Sequence, residues 1–325
     1  MSDVSKAQNF LEQSSLRDLL VQSDITDISF NGDAIYFQSS LYGRKKAAFT
    51  LTYDEAYQFI KQIANYMNVP FTYLDAIVDV SIAQYRLFAV GPAISRKDYQ
   101  PSITFAIRIH AGNEKLLPLF LRSTSPWLKL FTFLIARGIS LVIAGKTGSG
   151  KTQLQKELLT LMPSSSRVIV MDNILELDGL MIPHLDLSIW QVKPNYSIQK
   201  LIEGALRSHP DWLLIAESRG EEFKEVLRSV KTGHPIITTL HSDSIQHIYD
   251  RMVSMLLIGE SMSHAGPLYQ EVKTFFPVLI HLQTHGDQEK VIRSIEGVTI
   301  QRPHHMIELN ANSTLADIEE VIKRW

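Results

Sequence analysis

Ser140 to Thr152 reads SLVIAGKTGSGKT, and few local patterns restrict a fold as tightly. Ser140-Leu-Val-Ile-Ala144 is an apolar, β-branched run of buried-strand length. It runs straight into the spacing G-x-x-x-x-G-K-[ST]. Gly145 and Gly150 frame the turn, Lys146, Thr147, Gly148 and Ser149 fill it, and Lys151 and Thr152 follow. Thr152 to Met162 then has helical periodicity and stops at Pro163. A strand, a glycine loop and a helix N-terminus in that order make an anion cradle. Free backbone N–H groups and the positive end of the helix dipole point the same way. Lysine in this pattern bridges the β- and γ-phosphates, and the threonine hydroxyl ligates magnesium. The predicted ligands are therefore ATP or a similar nucleoside triphosphate, with Mg2+, and the predicted fold class is α/β.

The 325 residues are enough for two domains, each with its own core. Before about His110 the pattern is α+β. Asp27-Ile-Ser-Phe-Asn31 and Ala34-Ile-Tyr-Phe-Gln38 are short strands joined at Asn31-Gly32-Asp33, a hairpin signal. Thr52 to Met67 predicts a helix with Tyr53, Ala56, Phe59, Ile60, Ile63 and Met67 on one face. Leu87–Val90 and Ile103–Ile107 are further strands. His110 to Pro126 carries glycine, prolines and a serine/threonine cluster, so we place an N-terminal α+β domain over 1–110, a linker over 111–126 and a second domain over 127–325. In that second domain strands at Leu141–Ala144, Val168–Met171, Trp212–Ala216 and Ile236–Leu240 alternate with helical runs. Such alternation implies a mostly parallel sheet with helices on both faces.

Composition narrows the partners. A net charge of −2 gives no global field toward nucleic acid or anionic lipid. With no cysteine, disulfides and cysteine zinc sites are excluded. The polar, amphipathic start lacks the apolar stretch of a signal peptide, and no run reaches membrane-span length, so a cytoplasmic location is expected.

Beyond the loop, Trp212-Leu-Leu-Ile-Ala-Glu217 is an apolar strand ending in a carboxylate, placed to polarise a magnesium shell. Arg167-Val-Ile-Val-Met-Asp172 is a second acid-ended strand, and either Asp172 or Glu176 could orient an attacking water. His234 and His241 flank the strand Ile236–Leu240; a histidine at the end of a core strand can contact a γ-phosphate.

The order GKTGSGKT, RVIVMDNILEL, LRSHPDWLLIAESRGEE, TGHPIITTLHSDS resembles the secretion-superfamily ATPases of type II and type IV secretion, type IV pili and DNA uptake. These runs look like that family's Walker A, Asp box, Walker B and His box. With TDISFNG, Tyr85–Val90 and Ser102–Arg108 also similar, the resemblance covers Ile25 to Val298. It implies a C-terminal RecA-like P-loop domain behind a smaller α+β domain, in a homohexameric ring whose subunits close on nucleotide. It also implies that Arg86 and Arg108 reach the γ-phosphate, that Arg207 and Arg219 match the family's arginines around Walker B, and that His241 senses the γ-phosphate. The partners it implies are inner-membrane secretion or pilus platform proteins that hold the ring at the inner face of the cytoplasmic membrane; direct nucleic acid binding is not expected. The tail, Phe276–Gln283 followed by Lys290-Val-Ile-Arg-Ser-Ile-Glu296, looks most like the conjugative type IV and tight-adherence pilus branch. No cysteine-rich zinc insert or extra N-terminal region of the extension motors is found, nor the retraction motors' AIR segment.

Three departures from the family pattern stand out. The Asp box is Asp172-Asn173-Ile-Leu-Glu176 rather than Glu-Asp-x-x-Glu, Walker B has Ala216 for glycine, and the His box is one residue shorter between His234 and His241. A one-residue deletion flips side-chain direction along a strand, so the loop absorbs it or His234 points elsewhere. The expected function is an ATP-hydrolysing motor. The alternatives are a RecA-like DNA translocase or helicase and an ATP-binding structural ring subunit with little turnover.

Overall fold

A computed structural model describes residues 3–109, 118–173, 175–177, 182–193, 195–259, 265–286, 291–303 and 305–325. The chain divides into two compact units, Met1–Glu114 with His285–Ile292, and Lys115–Thr284 with Arg293–Trp325. Within the linker expected over 111–126, residues 111–117 lie outside the described residues, as do Ile174 of the Asp box and Lys290 of the tail motif.

The first unit carries α1 (Asp3–Glu12), α2 (Arg17–Leu20), β1 (Ile25–Phe30), β2 (Ile35–Ser39), β3 (Gly43–Lys46), α3 (Tyr53–Tyr66), β4 (Ile77–Ile82), β5 (Tyr85–Val90), the short ribbon β6 (Arg96–Lys97) and β7 (Gln100–Pro101), and β8 (Thr104–Ile109). Its main sheet runs β3-β2-β1-β8-β5-β4, with antiparallel neighbours throughout. The β1–β2 turn forms where expected, because Asn31 Oδ1 accepts from the N–H groups of Asp33 and Ala34 while Gly32 takes φ +92°. α3 starts at a capping box between Thr52 and Glu55 and buries Ala56, Phe59, Ile60 and Ile63. Tyr53, expected on that apolar face, is instead 42% exposed and stacks on Tyr57. At the first helical position it precedes the turn that meets the sheet.

The second unit carries α4 (Pro126–Ala136), β9 (Leu141–Gly145), α5 (Lys151–Leu159), β10 (Arg167–Asp172), β11 (Asp186–Gln191), α6 (Ile198–Leu206), β12 (Trp212–Ile215), α7 (Phe223–Lys231), β13 (Ile236–Leu240), α8 (Ile248–Leu256), α9 (Ala265–Phe275), β14 (Val278–Gly286), β15 (Val291–Gln301), β16 (Met306–Asn310) and α10 (Leu315–Lys323). The sheet order is β11-β10-β12-β13-β9-β14-β15-β16, parallel from β11 through β14, and β15 pairs antiparallel with β16. β9 is buried on both faces. Leu141 and Ile143 join the core that holds α4, α5 and α10, whereas Val142 and Ala144 join the core under α6 to α9. Central parallel strands covered by helices on both sides read as continuous apolar runs for this reason. The phosphate-loop strand lies between β13 and β14, so the loop after it opens beside the C-terminal ends of both.

Candidate nucleotide site

Backbone geometry makes the loop. Gly150 takes φ +96° at the N-terminus of α5, and a Cβ there would meet the Phe120 ring at 2.9 Å. A Cβ on Gly145 would fall 2.5 Å from the Leu282 carbonyl oxygen and 2.6 Å from Ser149 Oγ. Only glycine fits either place. Ser149 Oγ is buried with no hydrogen-bond partner among the described residues, so the cradle holds a polar atom in want of one. These features fit a phosphate group.

Lys151 Nζ donates to the loop's own carbonyl oxygens, Gly145 O at 2.9 Å and Lys146 O at 3.1 Å, and stands 3.4 Å from His241 Nδ1. Thr152 follows it in the first turn of α5. Glu217, just past β12, places Oε2 2.7 Å from Arg219 Nη2 and Oε1 2.9 Å from His241 Nε2, the latter a close polar contact without hydrogen-bond geometry. Burial pushes the Glu217 carboxyl up, but Arg219, His241 and Lys151 together hold it below the usual carboxylate value. The hydrogen bond to Glu217 raises Arg219 in turn. Burial and the Lys151 cation push His241 down, against the pull of Glu217. Its neutral ring then suits both neighbours, with Nε2–H toward the carboxylate and Nδ1 accepting from the lysine.

The two Asp-box acids differ. Asp172 is fully buried and Oδ2 accepts from the Leu177 N–H at 3.1 Å, closing the turn that carries Glu176. Glu176 is half-buried and acts electrostatically on both Lys156 of α5 and Arg219. Lys156 is pushed down by burial, while Glu176 and Asp172 pull it back up.

Other expected site residues stand apart from this cluster. His234 lies in the turn before β13, its Nδ1 3.0 Å from Thr232 Oγ1, whereas His241 follows the strand's far end. At about 3.3 Å per strand residue the intervening β13 keeps them well separated. His234 therefore stands at the end of β13 opposite His241 and the phosphate loop. Arg207, exposed at the C-terminus of α6, likewise precedes β12, at the end opposite Glu217. In the first unit Arg86 and Arg108 are direct register partners on β5 and β8. Arg86 makes a two-point pair with Asp79 at 3.1 and 2.9 Å, and Arg108 Nε lies 3.1 Å from Asp27 Oδ1. Two like charges directly opposite would repel; each is held by its own aspartate.

The structure adds residues that motif spacing did not single out. Glu157 on α5, almost fully buried, accepts the backbone N–H groups of Leu119, Phe120 and Leu121 at 2.7 to 3.0 Å and Gln153 Nε2 at 2.9 Å. It fastens the segment ahead of α4 to the phosphate-loop helix. Arg293 on β15 donates from Nε to Gly148 O at 2.7 Å. His281 and Glu296 pair nearby. The backbone partners of Glu157 and Arg293 are distant in sequence, and a contact to a backbone group leaves no side-chain pattern to find.

The model of the family described as Type II/IV secretion system protein matches residues 125–301. Among curated proteins, the uncharacterized protein pXO2-25 of Bacillus anthracis is 26% identical over 265 residues, 80% of this chain and 59% of that protein. Type IV secretion system protein VirB11 of Bartonella henselae is 33% identical over 144 residues, 41% of this chain and 39% of its own. In both, the match spans less than two thirds of the relative's length. Among solved structures the ATPase DotB of Legionella pneumophila aligns over 100% of this chain and 89% of its own at TM-score 0.66 and 16% identity, a likeness of fold.

Proposed function

Because the chain belongs to the type II/IV secretion system protein family, we propose that it is an ATP-hydrolysing motor. In this reading it works as a homohexamer at the cytoplasmic base of a secretion, conjugation, DNA-uptake or pilus apparatus. The observation that carries the proposal is the meeting of Lys151, Glu217, Arg219 and His241 beside a glycine-built phosphate loop. Lys151, now on the loop's carbonyl oxygens, would turn to the β- and γ-phosphates when a triphosphate fills the cradle. Thr152 and Glu217 would hold Mg2+, which when bound neutralises charge on the phosphate oxygens. The depressed carboxyl of Glu217 suits this, because it stays anionic at neutral pH.

His241 would read the γ-phosphate, since any ligand drawing Lys151 away also removes the proton donor to His241 Nδ1. Between the Asp-box acids, Glu176 is the better candidate to position water, because Asp172 is committed to the Leu177 N–H and sealed from solvent. Arg86 and Arg108 of the first unit would supply the cations that tie domain closure to nucleotide state, released from Asp79 and Asp27. No helix among the described residues is long and apolar enough to cross a membrane, so we assign membrane association to partner platform proteins. The test is protein-dependent phosphate release from ATP with Mg2+, beside Lys151→Ala and with the molar mass measured in the same buffer. Release by a hexamer, lost in the variant, supports the motor; no ATP binding by a folded protein refutes it.

A further inference from the structure

β15 reaches the nucleotide site twice. At its start, Arg293 donates from Nε to Gly148 O at the phosphate loop, and its Cδ lies 3.4 Å from where a Cβ on Gly150 would stand. Burial pushes this guanidinium down. Burying a guanidinium is costly, so the carbonyl contact offsets a penalty. Three residues on, Glu296 pairs with Nδ1 of His281.

His281 is 3% exposed and sits opposite Ala144 in the register of β14 and β9, between Ile280 and Leu282, both buried. A leucine would pack there without desolvating a polar ring. The histidine is satisfied instead by Glu296 on one side and, through Nε2, by the Ser242 carbonyl oxygen at 3.3 Å on the other. Ser242 immediately follows His241, whose Nε2 is 2.9 Å from Glu217. A core histidine that merely fills space has no need of a partner beside a catalytic loop.

We propose that β15 is a brace of the nucleotide site, with Arg293 positioning the phosphate loop and Glu296, acting through His281, positioning the loop that carries His241. These are positioning residues: they touch the loops, not the reacting phosphate. The assignment of His241 as γ-phosphate reader rests on the proposed function; the mechanical link does not. A misplaced catalytic group costs rate more than ground-state affinity. Glu296→Gln and His281→Leu should therefore each lower kcat roughly tenfold while Kd for ADP stays within about threefold. The double variant should be no worse than the poorer single one, because both break one chain of contacts. Arg293→Met acts on the other loop and should weaken ADP binding roughly tenfold.

The deciding experiment reads the His241 ring signals of the nucleotide-free protein by NMR, in wild type and in Glu296→Gln. Glu296 is half-exposed, so this variant tests the brace even if His281→Leu fails to fold. A shift of the His241 signals with an otherwise unchanged spectrum is the expected result. Unmoved His241 signals, or kcat unchanged in folded Glu296→Gln, would overturn the brace. If the wild type hydrolyses no ATP, the motor reading fails while the NMR result still decides this one.

Discussion

His241 Nε2 lies 2.9 Å from Glu217 Oε1, bridging the C-terminal ends of the neighbouring parallel strands β13 and β12. One side of the imidazole thus meets a carboxylate and the other, through Nδ1, the phosphate-loop lysine. In the proposed reading the ring is a gauge set between the residue that would grip phosphate and the acid that would hold the metal shell.

That setting has a pH signature in the nucleotide-free protein. Burial and Lys151 hold His241 below its ordinary value of 6.5. A group with a lowered folded pKa binds its proton less readily when folded, so its contribution to stability is full above the unfolded value and is lost as pH falls through the folded one. Melting temperature should drop on acidification below pH 6.5, and His241→Asn should flatten that limb. An NMR titration placing His241 above its ordinary value would contradict this.

Two loop glycines separate strain from collision. Gly150→Ala meets the Phe120 ring at 2.9 Å as well as a left-handed φ, and should cost roughly 2 kcal/mol of stability along with most nucleotide affinity. Gly148→Ala has φ +79° but open space, so about 1 kcal/mol of strain is the whole expected penalty. Thermal melts and ADP titrations of the pair check the order.

The Asp-box acids should divide their labours. Asp172→Asn puts an amide in place of a buried acceptor of the Leu177 N–H, and is expected to destabilise by roughly 2 kcal/mol and to lower turnover with it. Glu176→Gln should leave the melting temperature near wild type and cut kcat roughly a hundredfold. Equal melting losses in the two variants would refute the division.

Much of this arrangement is legible in local sequence. The phosphate loop, its buried strand and its helix are one contiguous run, and the alternation of apolar strands with helices names a parallel sheet. Glu217 and His241 are visible because strand-end polar residues interrupt apolar runs. What spacing cannot show is pairing between distant residues. Arg293 reaches Gly148 across 145 positions, and Glu157 binds backbone groups 36 to 38 residues away. His234 and Arg207 resemble the family pattern by position, yet each comes before its strand, at the end opposite the phosphate loop.

Arg86 and Arg108 offer a test in the first unit. Their aspartate pairs are partly exposed, so Arg86→Ala should cost less than about 1 kcal/mol of stability. If the guanidinium serves the transferring phosphate, turnover should nonetheless fall at least tenfold, roughly the low end for such an arginine. Phosphate-release assays at matched folded concentration would show it; unchanged turnover would leave Arg86 a surface ion pair.

The most direct measurement is Mg2+-dependent ATP hydrolysis by the purified protein beside Glu217→Gln, with ADP and ATP binding measured on both. The account predicts that the variant keeps nucleotide affinity within about threefold and loses turnover by roughly a hundredfold or more, since its carboxylate serves the reaction and not the phosphate grip. Hydrolysis that survives in Glu217→Gln, or a wild type that binds ATP and never turns it over, would contradict it.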